Sequence, residues 1–510
     1  MAALILGFAT GGAENLLFSA EQQQRLPGVA GSFYPSDPAK LNSMMDEMLA
    51  RVNSPAIHGK IIAVVAPHAG YPYSGPVAAY SYAALKGRKY ARVVVIAPSH
   101  YEAFHFTSVY DGDGYGTPLG MIPVDKAFAQ QLTKMNPSIR LSGRGHLPTS
   151  SGTEHALEVQ LPWLQHVLGN FTLVPVVMGD QSYESSRALG VALAKLLQEG
   201  GASSHATDPQ TTTGDTLIVA SSDLSHYHTY REAEQIDHKT LNALQAWDYF
   251  NMSRNFDSRV WEACGGGPIV AAMVAAERMG ANQARLLNYA NSGDTSGDRS
   301  HVVGYGAVAL IKAQDQRSAE QSFSLSEQEK NQLLAVARKS VESAVEKHDA
   351  YEPAATGDDA LQQERGAFVT LKESGNLRGC IGFTSAARPL YLTVRDAAAL
   401  AALRDPRFRP VSAQEIPLLA YEISVLSPMR RVTDVKQINV GKHGLLIKNS
   451  DHEGLLLPQV PVEQRWDRTK FLEQTCGKAG MEPNCWKDED TDIFLFTAVV
   501  FGEHQSAIPK

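Results

Sequence analysis

The chain has 510 residues, with 46 Lys and Arg against 54 Asp and Glu for a net charge of −8. That length exceeds one hydrophobic core, so two or three domains of roughly 150 residues are expected. No long block of like charges marks a nucleic-acid stripe or a polybasic membrane patch, and the apolar runs fall short of the ~18 residues a bilayer span needs, so a soluble protein is expected.

Residues 1–25 open on MAALILGFATGGA, close in length to a signal-peptide core, but no Lys or Arg before Arg25 supplies the positive flank. We read this stretch as a poorly structured N-terminus or a residual leader. The four cysteines, at 264, 380, 476 and 485, form neither a disulfide framework nor an iron–sulfur ligand trio. A reduced, cytoplasmic protein is the default expectation. Export by an atypical leader is the alternative, and a Cys476–Cys485 bridge would belong to that case.

From 26 to 312, strand-like and helix-like segments alternate, which predicts an α/β domain with a largely parallel central sheet. Three short apolar runs each lead to a histidine: Ile61–Ala66 to His68, Val93–Ala97 to His100, and Leu217–Ala220 through Ser221, Ser222 and Asp223 to His226. Runs apolar on both faces are central strands of a covered sheet, and loops at their carboxyl ends share one edge. The three histidines are therefore candidates for one site. Helices are predicted over Leu157–Leu168 and Ser186–Leu197, and a mobile surface insertion over Gly200–Asp215. Cys264 lies in a glycine-rich turn before an apolar run, so its sulfur is placed near a helix N-terminus, which favours the thiolate.

Residues 313–325 have the composition of a linker. Ser326 with Glu329 makes a capping box that opens a helix and a second domain over 326–510, which reads as α+β. Its strands are predicted at Gly366–Leu371, Tyr421–Leu426 and Gly444–Ile447, and its helices at Leu390–Leu403 and Arg468–Gly480. No internal repeat relates the halves.

The motifs PHAGYPYSG at Pro67, APSHY at Ala97, SSDLSHY at Ser221 and ACGGGPI at Ala263 together resemble the Memo family. The resemblance runs from GVAGSFYPSD at Gly28 through TEHALEVQLP at Thr153 to LNYANSGD at Leu287. It implies a fold like that of non-heme iron extradiol dioxygenases and a metal site of two histidines and a cysteine, here His68, His100 and Cys264. Two imidazoles and a thiolate suit Fe(II) first, with copper or zinc as alternatives, and leave coordination positions open. By the same resemblance His226 falls at the general-base position. Asp223 is a candidate to orient it or to bond a ligand histidine. Glu154 and His155 are weaker pocket candidates, and Tyr71 and Tyr73 are expected to line the mouth. A cysteine in place of the dioxygenase carboxylate puts ring cleavage in doubt and keeps copper redox chemistry open. His105, His146 and His301 are expected to be surface or structural residues.

LRGCIGF at Leu377, RDPRFRPV at Arg404 and GLLLPQVPVEQRWD at Gly454 resemble the AMMECR family, a fold without an established reaction. Arg378 and Cys380 lie in its candidate groove. Cys380 is either a nucleophile or, with no histidine near in sequence, a buried packing residue. Separate Memo-like and AMMECR-like proteins resemble two parts of a three-part system, AmmeMemoRadiSam, whose third member is a radical SAM protein. The resemblance thus implies that enzyme as an external partner of this fusion. A small-molecule or peptide substrate is expected, and the rival readings are a non-catalytic adaptor and a zinc-dependent hydrolase.

Overall fold

The structure is a computed structural model that describes residues 23–54, 56–202, 215–313, 323–354, 356–384, 388–449, 452–488 and 490–503. Most of the expected 1–25 leader, of the 200–215 insertion and of the linker lies outside the described residues, and Gln24 and Arg25 form a short strand.

The first domain is built on a nine-stranded sheet. Its strands are β1 (Lys60–Ala66), β2 (Arg92–Pro98), β3 (Thr107–Val109), β4 (Ile139–Leu141), β5 (Thr172–Met178), β6 (Thr216–Ser221), β7 (His226–His228), β8 (Gln283–Asn291) and β9 (Val302–Lys312). They lie in the order β7-β9-β1-β6-β2-β5-β3-β4, with β8 paired to β9. The helices that position the site are α1 (Tyr71–Ala83), α2 (Gln160–Leu168), α3 (Tyr183–Ala202), α4 (Tyr249–Asp257) and α5 (Gly266–Arg278).

Successive strand residues feed opposite cores. Val94, Ile96 and Ile218 pack with Leu189, Leu193 and the buried length of α5 on one face. Val93, Val95 and Val219 pack with Tyr82, Trp163 and Leu164 on the other. This two-sided burial is why the runs lack polar alternation, and each such residue contributes ~1.5–3 kcal/mol relative to exposure.

The sheet is mixed rather than largely parallel. β1, β6, β2 and β5 run parallel, but β9 pairs antiparallel with both β1 and β8, and β3 pairs antiparallel with β5. Apolar periodicity encodes burial and not strand direction, so the parallel expectation holds for the central four and for the β3–β4 pair at the edge.

A buried ion pair fastens the start of the domain. The Arg25 guanidinium bonds the Glu158 carboxylate, which also accepts from the amides of Gly28 at 2.9 Å and Val29 at 3.0 Å and from the Tyr34 hydroxyl at 2.5 Å.

The second domain opens at α6 (Glu327–Glu342), where the Ser326 hydroxyl accepts from the Glu329 amide at 3.2 Å. Strands β10 (Ala367–Glu373), β11 (Asn376–Phe383), β12 (Leu419–Leu426) and β17 (Ala498–Gly502) form an antiparallel sheet in the order β11-β10-β12-β17, with its core against α6 and α7 (Leu390–Leu403). A second sheet runs β13-β16-β14-β15, from β13 (Arg430–Arg431), β14 (Gly444–Asn449), β15 (His452–Leu456) and β16 (Asp492–Phe496), with its core against α8 (Arg468–Lys478). The structure pairs Cys476 and Cys485 as a disulfide, against the expectation that all four cysteines are reduced. Both are buried in the core under α8, where the fold brings them together. No helix among the described residues is long and apolar enough to cross a membrane.

The two domains share a core. Phe494, Phe496, Leu446 and Met429 pack with Tyr249, Phe250, Met252 and Tyr183, the rings of Phe250 and Phe494 lying 5.2 Å apart. At its centre the buried Asp492 carboxylate accepts from Arg187, from Arg278 at 3.0 Å, from Arg431 at 3.0 Å and from the Tyr183 hydroxyl at 3.3 Å. Nearby, the Glu277 carboxylate accepts from the Tyr249 hydroxyl at 2.9 Å. Burial pushes Glu277 up to about 7, against the pull of Arg431 and Arg278. An acid raised on folding holds its proton in the native state where the unfolded chain has lost it. Its contribution is present below the ordinary value and is lost as pH climbs from about 4.5 to about 7. Glu277→Gln should therefore flatten that part of the melting temperature against pH curve, measured by calorimetry.

Candidate metal centre

In the sheet β6 lies between β1 and β2, so the carboxyl ends that lead to His68, Ser221 and His100 are immediate neighbours. Cys264 comes from the connection between α4 and α5, one residue before the α5 N-cap at Gly265. Its approach depends on glycine: a Cβ on Gly265 would lie 2.2 Å from the Ser221 carbonyl oxygen, and one on Gly267 would lie 2.7 Å from Gln181 Cβ. Gln181 then clamps the turn, its Nε2 donating to the Cys264 carbonyl at 2.9 Å and its Oε1 accepting from the Gly267 amide at 2.9 Å.

These connections bring the three resemblance-implied ligands together. Cys264 Sγ is 3.1 Å from His68 Nε2, and donor atoms of His68, His100 and Cys264 all lie within 4.8 Å of one another. The imidazoles of His68 and His100 meet edge to face, with centroids 5.2 Å apart. His68 is buried at the floor, whereas the His100 side chain is 29% exposed at the rim.

Hydrogen bonding assigns the ring nitrogens. The Ser221 hydroxyl donates its only hydrogen to the Ala156 carbonyl at 2.6 Å, and it accepts from Gln160 Nε2 at 2.7 Å. Its contact with His68 Nδ1 at 2.9 Å must therefore be donated by the ring. That leaves the Nε2 lone pair of His68 facing the sulfur. Burial, and then the nearby His100, holds His68 well below the ordinary imidazole range, so it is neutral. His100 Nδ1 donates to Glu154 Oε1 at 3.0 Å, which in the neutral ring leaves the lone pair on Nε2.

Glu154 is the second orienting residue. Besides the ring it accepts from the backbone amides of His100 at 2.6 Å, His155 at 2.9 Å and Ala156 at 2.9 Å. Burial opposes its charge, but the bonds and charge of His100 outweigh that and hold its pKa at about 2. Correspondingly His100 is raised: burial works against its protonated form, and Glu154 overcomes it. A carboxylate gripping the distal nitrogen of a ligand imidazole fixes its tautomer and direction. Glu154→Gln should weaken metal affinity by about 10- to 100-fold, read by chelator competition.

His155 stacks on His100 at 4.9 Å, meets His68 edge-on at 5.6 Å and packs at a tilt on Phe33 at 4.6 Å. Its Nδ1 is buried without a hydrogen bond, 3.6 Å from Glu154 Oε1. Burial lowers its pKa to about 4, so a third neutral imidazole faces the centre.

His226 and Asp223 are both at the site, but not joined as one candidate role had them. His226 Nδ1 donates to the Leu224 carbonyl at 2.8 Å, which leaves its Nε2 as an acceptor. Asp223 Oδ1 instead accepts from the backbone amide of His68 at 2.7 Å, while its own amide donates to Cys264 Sγ at 3.3 Å. Asp223 thus bonds the candidate ligand His68 through the main chain, and the ring of His68 is oriented by Ser221. Burial, and then the Asp223 carboxylate, push the Cys264 thiol up, so proximity to the helix N-terminus does not by itself make a thiolate. A cation coordinated by the sulfur would.

Tyr71 does not line the mouth. It is buried, its hydroxyl donates to the Val159 carbonyl at 2.8 Å, and its ring packs on Trp163. Tyr73, two residues on, is exposed, as is Tyr101, whose ring meets His155 edge-on. Sequence reasoning missed Ser221, Gln160 and Gln181, although Ser221 stands in the quoted SSDLSHY run.

In the second domain Arg378 is structural: buried, it donates to Glu415 Oε1 at 2.8 Å and to the Arg409 carbonyl at 3.0 Å. Cys380 is half-buried, its sulfur accepting from the Thr370 hydroxyl at 3.3 Å and its amide donating to Asp405 at 2.8 Å.

The Memo-like protein model matches residues 25–309, and the AMMECR1 model matches residues 334–501. MEMO1 family protein MK0963 of Methanopyrus kandleri is 34% identical over 300 residues, covering 56% of this chain and 99% of that protein. A MEMO1 family protein of Sulfolobus acidocaldarius is 35% identical over 298 residues, covering 56% of this chain and 98% of its own length. Among solved structures, the uncharacterized protein PH0010 from Pyrococcus horikoshii is 40% identical and covers 35% of this chain and 92% of its own, with a TM-score of 0.33. The chain belongs to the Memo-like protein family and carries an AMMECR1 domain behind its Memo-like one.

Proposed function

We propose that the first domain is a metal-dependent, oxidoreductase-like centre in which His68, His100 and Cys264 hold Fe(II), with copper the alternative ion. The observation that carries this reading is the assignment of protons: both distal nitrogens are tied, so both Nε2 lone pairs and the sulfur are presented together. Neutral nitrogen donors with one sulfur suit a borderline transition ion rather than a hard one such as Mg²⁺. Such an ion supplies Lewis acidity and one-electron redox capacity next to open positions.

The chain's own residues supply the rest. His226, with Nδ1 held by the Leu224 carbonyl, offers Nε2 as a proton acceptor for a small substrate. Tyr73 and Tyr101 are exposed surfaces for such a molecule at the rim. Oxygen consumption by anaerobically iron-loaded protein on a catechol panel tests the oxidative reading. Turnover that instead survives under argon with zinc would replace it with hydrolysis, and tight capture of a protein by an unreactive metal form would replace it with an adaptor role. The pairing of both domain types in one chain supports a radical SAM protein as external partner, and repeated failure to recover one by pull-down from the host would remove it.

A further inference from the structure

We propose that the AMMECR1 domain positions the sulfur ligand of the metal centre, by holding the segment that carries Cys264 at both of its ends. This rests on the metal reading above. Upstream, the indole N–H of Trp261, three residues before Cys264, donates to Glu364 Oε2 of the second domain at 3.0 Å. Trp261 is buried, and Glu364 is itself held by Lys239 at 2.7 Å. Downstream, the last turn of α5 is tied through Arg278 to Asp492 at 3.0 Å.

The helix between these points transmits position. α5 is buried from Gly266 to Ala276. A Cβ on Gly190 of α3 would lie 2.7 Å from the Ala271 carbonyl oxygen and from Val274, so α3 and α5 touch backbone to side chain and cannot slide independently. Asp492 also binds α3 through Tyr183 and Arg187, and Gln181, just ahead of α3, clamps the Cys264 carbonyl. One carboxylate of the second domain therefore fastens both helices whose leading ends fix the cysteine. Relatives matched over 98–99% of their own length correspond to only 56% of this chain, so no AMMECR1 domain is fused to the Memo-like one in those chains.

The test uses the full chain and Co²⁺ as probe, read by the sulfur-to-cobalt charge-transfer band and by chelator competition. Glu364→Ala and Asp492→Asn are expected to weaken Co²⁺ binding about tenfold, the lower bound for losing an orienting partner, and to reduce the band per bound ion. Glu364→Gln, which keeps an acceptor for the indole, should restore the wild-type spectrum. Arg254→Gln breaks a domain contact to Glu453 outside the 261–278 segment and should leave the spectrum unchanged. Wild-type affinity and band in both Glu364→Ala and Asp492→Asn would overturn the proposal. If Asp492→Asn does not fold, Glu364→Ala and its Gln rescue decide alone. A wild-type chain that gives no such band would sink the metal reading itself, a separate outcome.

Discussion

Replacing His68 and His100 together by alanine is expected to reduce iron and copper in the anaerobically purified protein to background, while leaving the fold intact. The two rings are the nitrogen donors of the proposed centre, and what remains is the His155 imidazole and a thiol whose buried setting favours its protonated form. One imidazole and a protonated thiol are a weak ligand set compared with the three donors of wild type, so the loss should be close to complete. Stability supplies a second readout. A ligand that binds only the native state adds about 2.7 kcal/mol at a hundredfold excess over its dissociation constant. Wild type should gain melting temperature on metal addition and the double variant should not. Equal metal content in the two proteins would show that the centre lies elsewhere.

The largest effect on folding is expected from Glu158→Ala. It leaves the Arg25 guanidinium, 2% exposed, without its counter-charge, and strips the acceptor from two amides and the Tyr34 hydroxyl. Removing one partner of a buried pair costs about 3–5 kcal/mol. For a domain of this size that corresponds to a fall in melting temperature on the order of ten degrees. The double variant Arg25→Met, Glu158→Leu should recover only part, because the Gly28 and Val29 amides remain without an acceptor. Full recovery by the double variant would show that the charge pair alone carries the effect.

The sequence showed which residues lie on central strands because burial on both faces leaves a direct trace, the unbroken Val93–Ala97 run being the plainest. It showed the convergence of His68 and His100 because strand ends in a covered sheet share an edge. Cys264 was legible through its motif and not through physics, since its approach depends on a glycine turn fitted against Ser221. The antiparallel β9 left no trace, as pairing direction does not alter periodicity. Tyr71 was misplaced for a related reason. At the first turn of a helix, two residues decide between core and rim, and Tyr71 and Tyr73 fall on opposite sides of that line. The Cys476–Cys485 pair depends on the α8 core, which spacing along the chain does not convey. Nor did any local pattern announce Glu364 and Asp492, which reach Trp261 and Lys239, and Arg187, Arg278 and Tyr183, in the other domain.

The single hydrogen of the Ser221 hydroxyl has a wider consequence. Because it is already given to Ala156, the oxygen can only receive from the imidazole, and the ring cannot turn over without breaking that relation. An alanine there would free His68 to present either nitrogen, and a population of centres with two ring orientations would replace one. Uniformity of the candidate donor set, from molecule to molecule, would thus rest on a side chain outside that set.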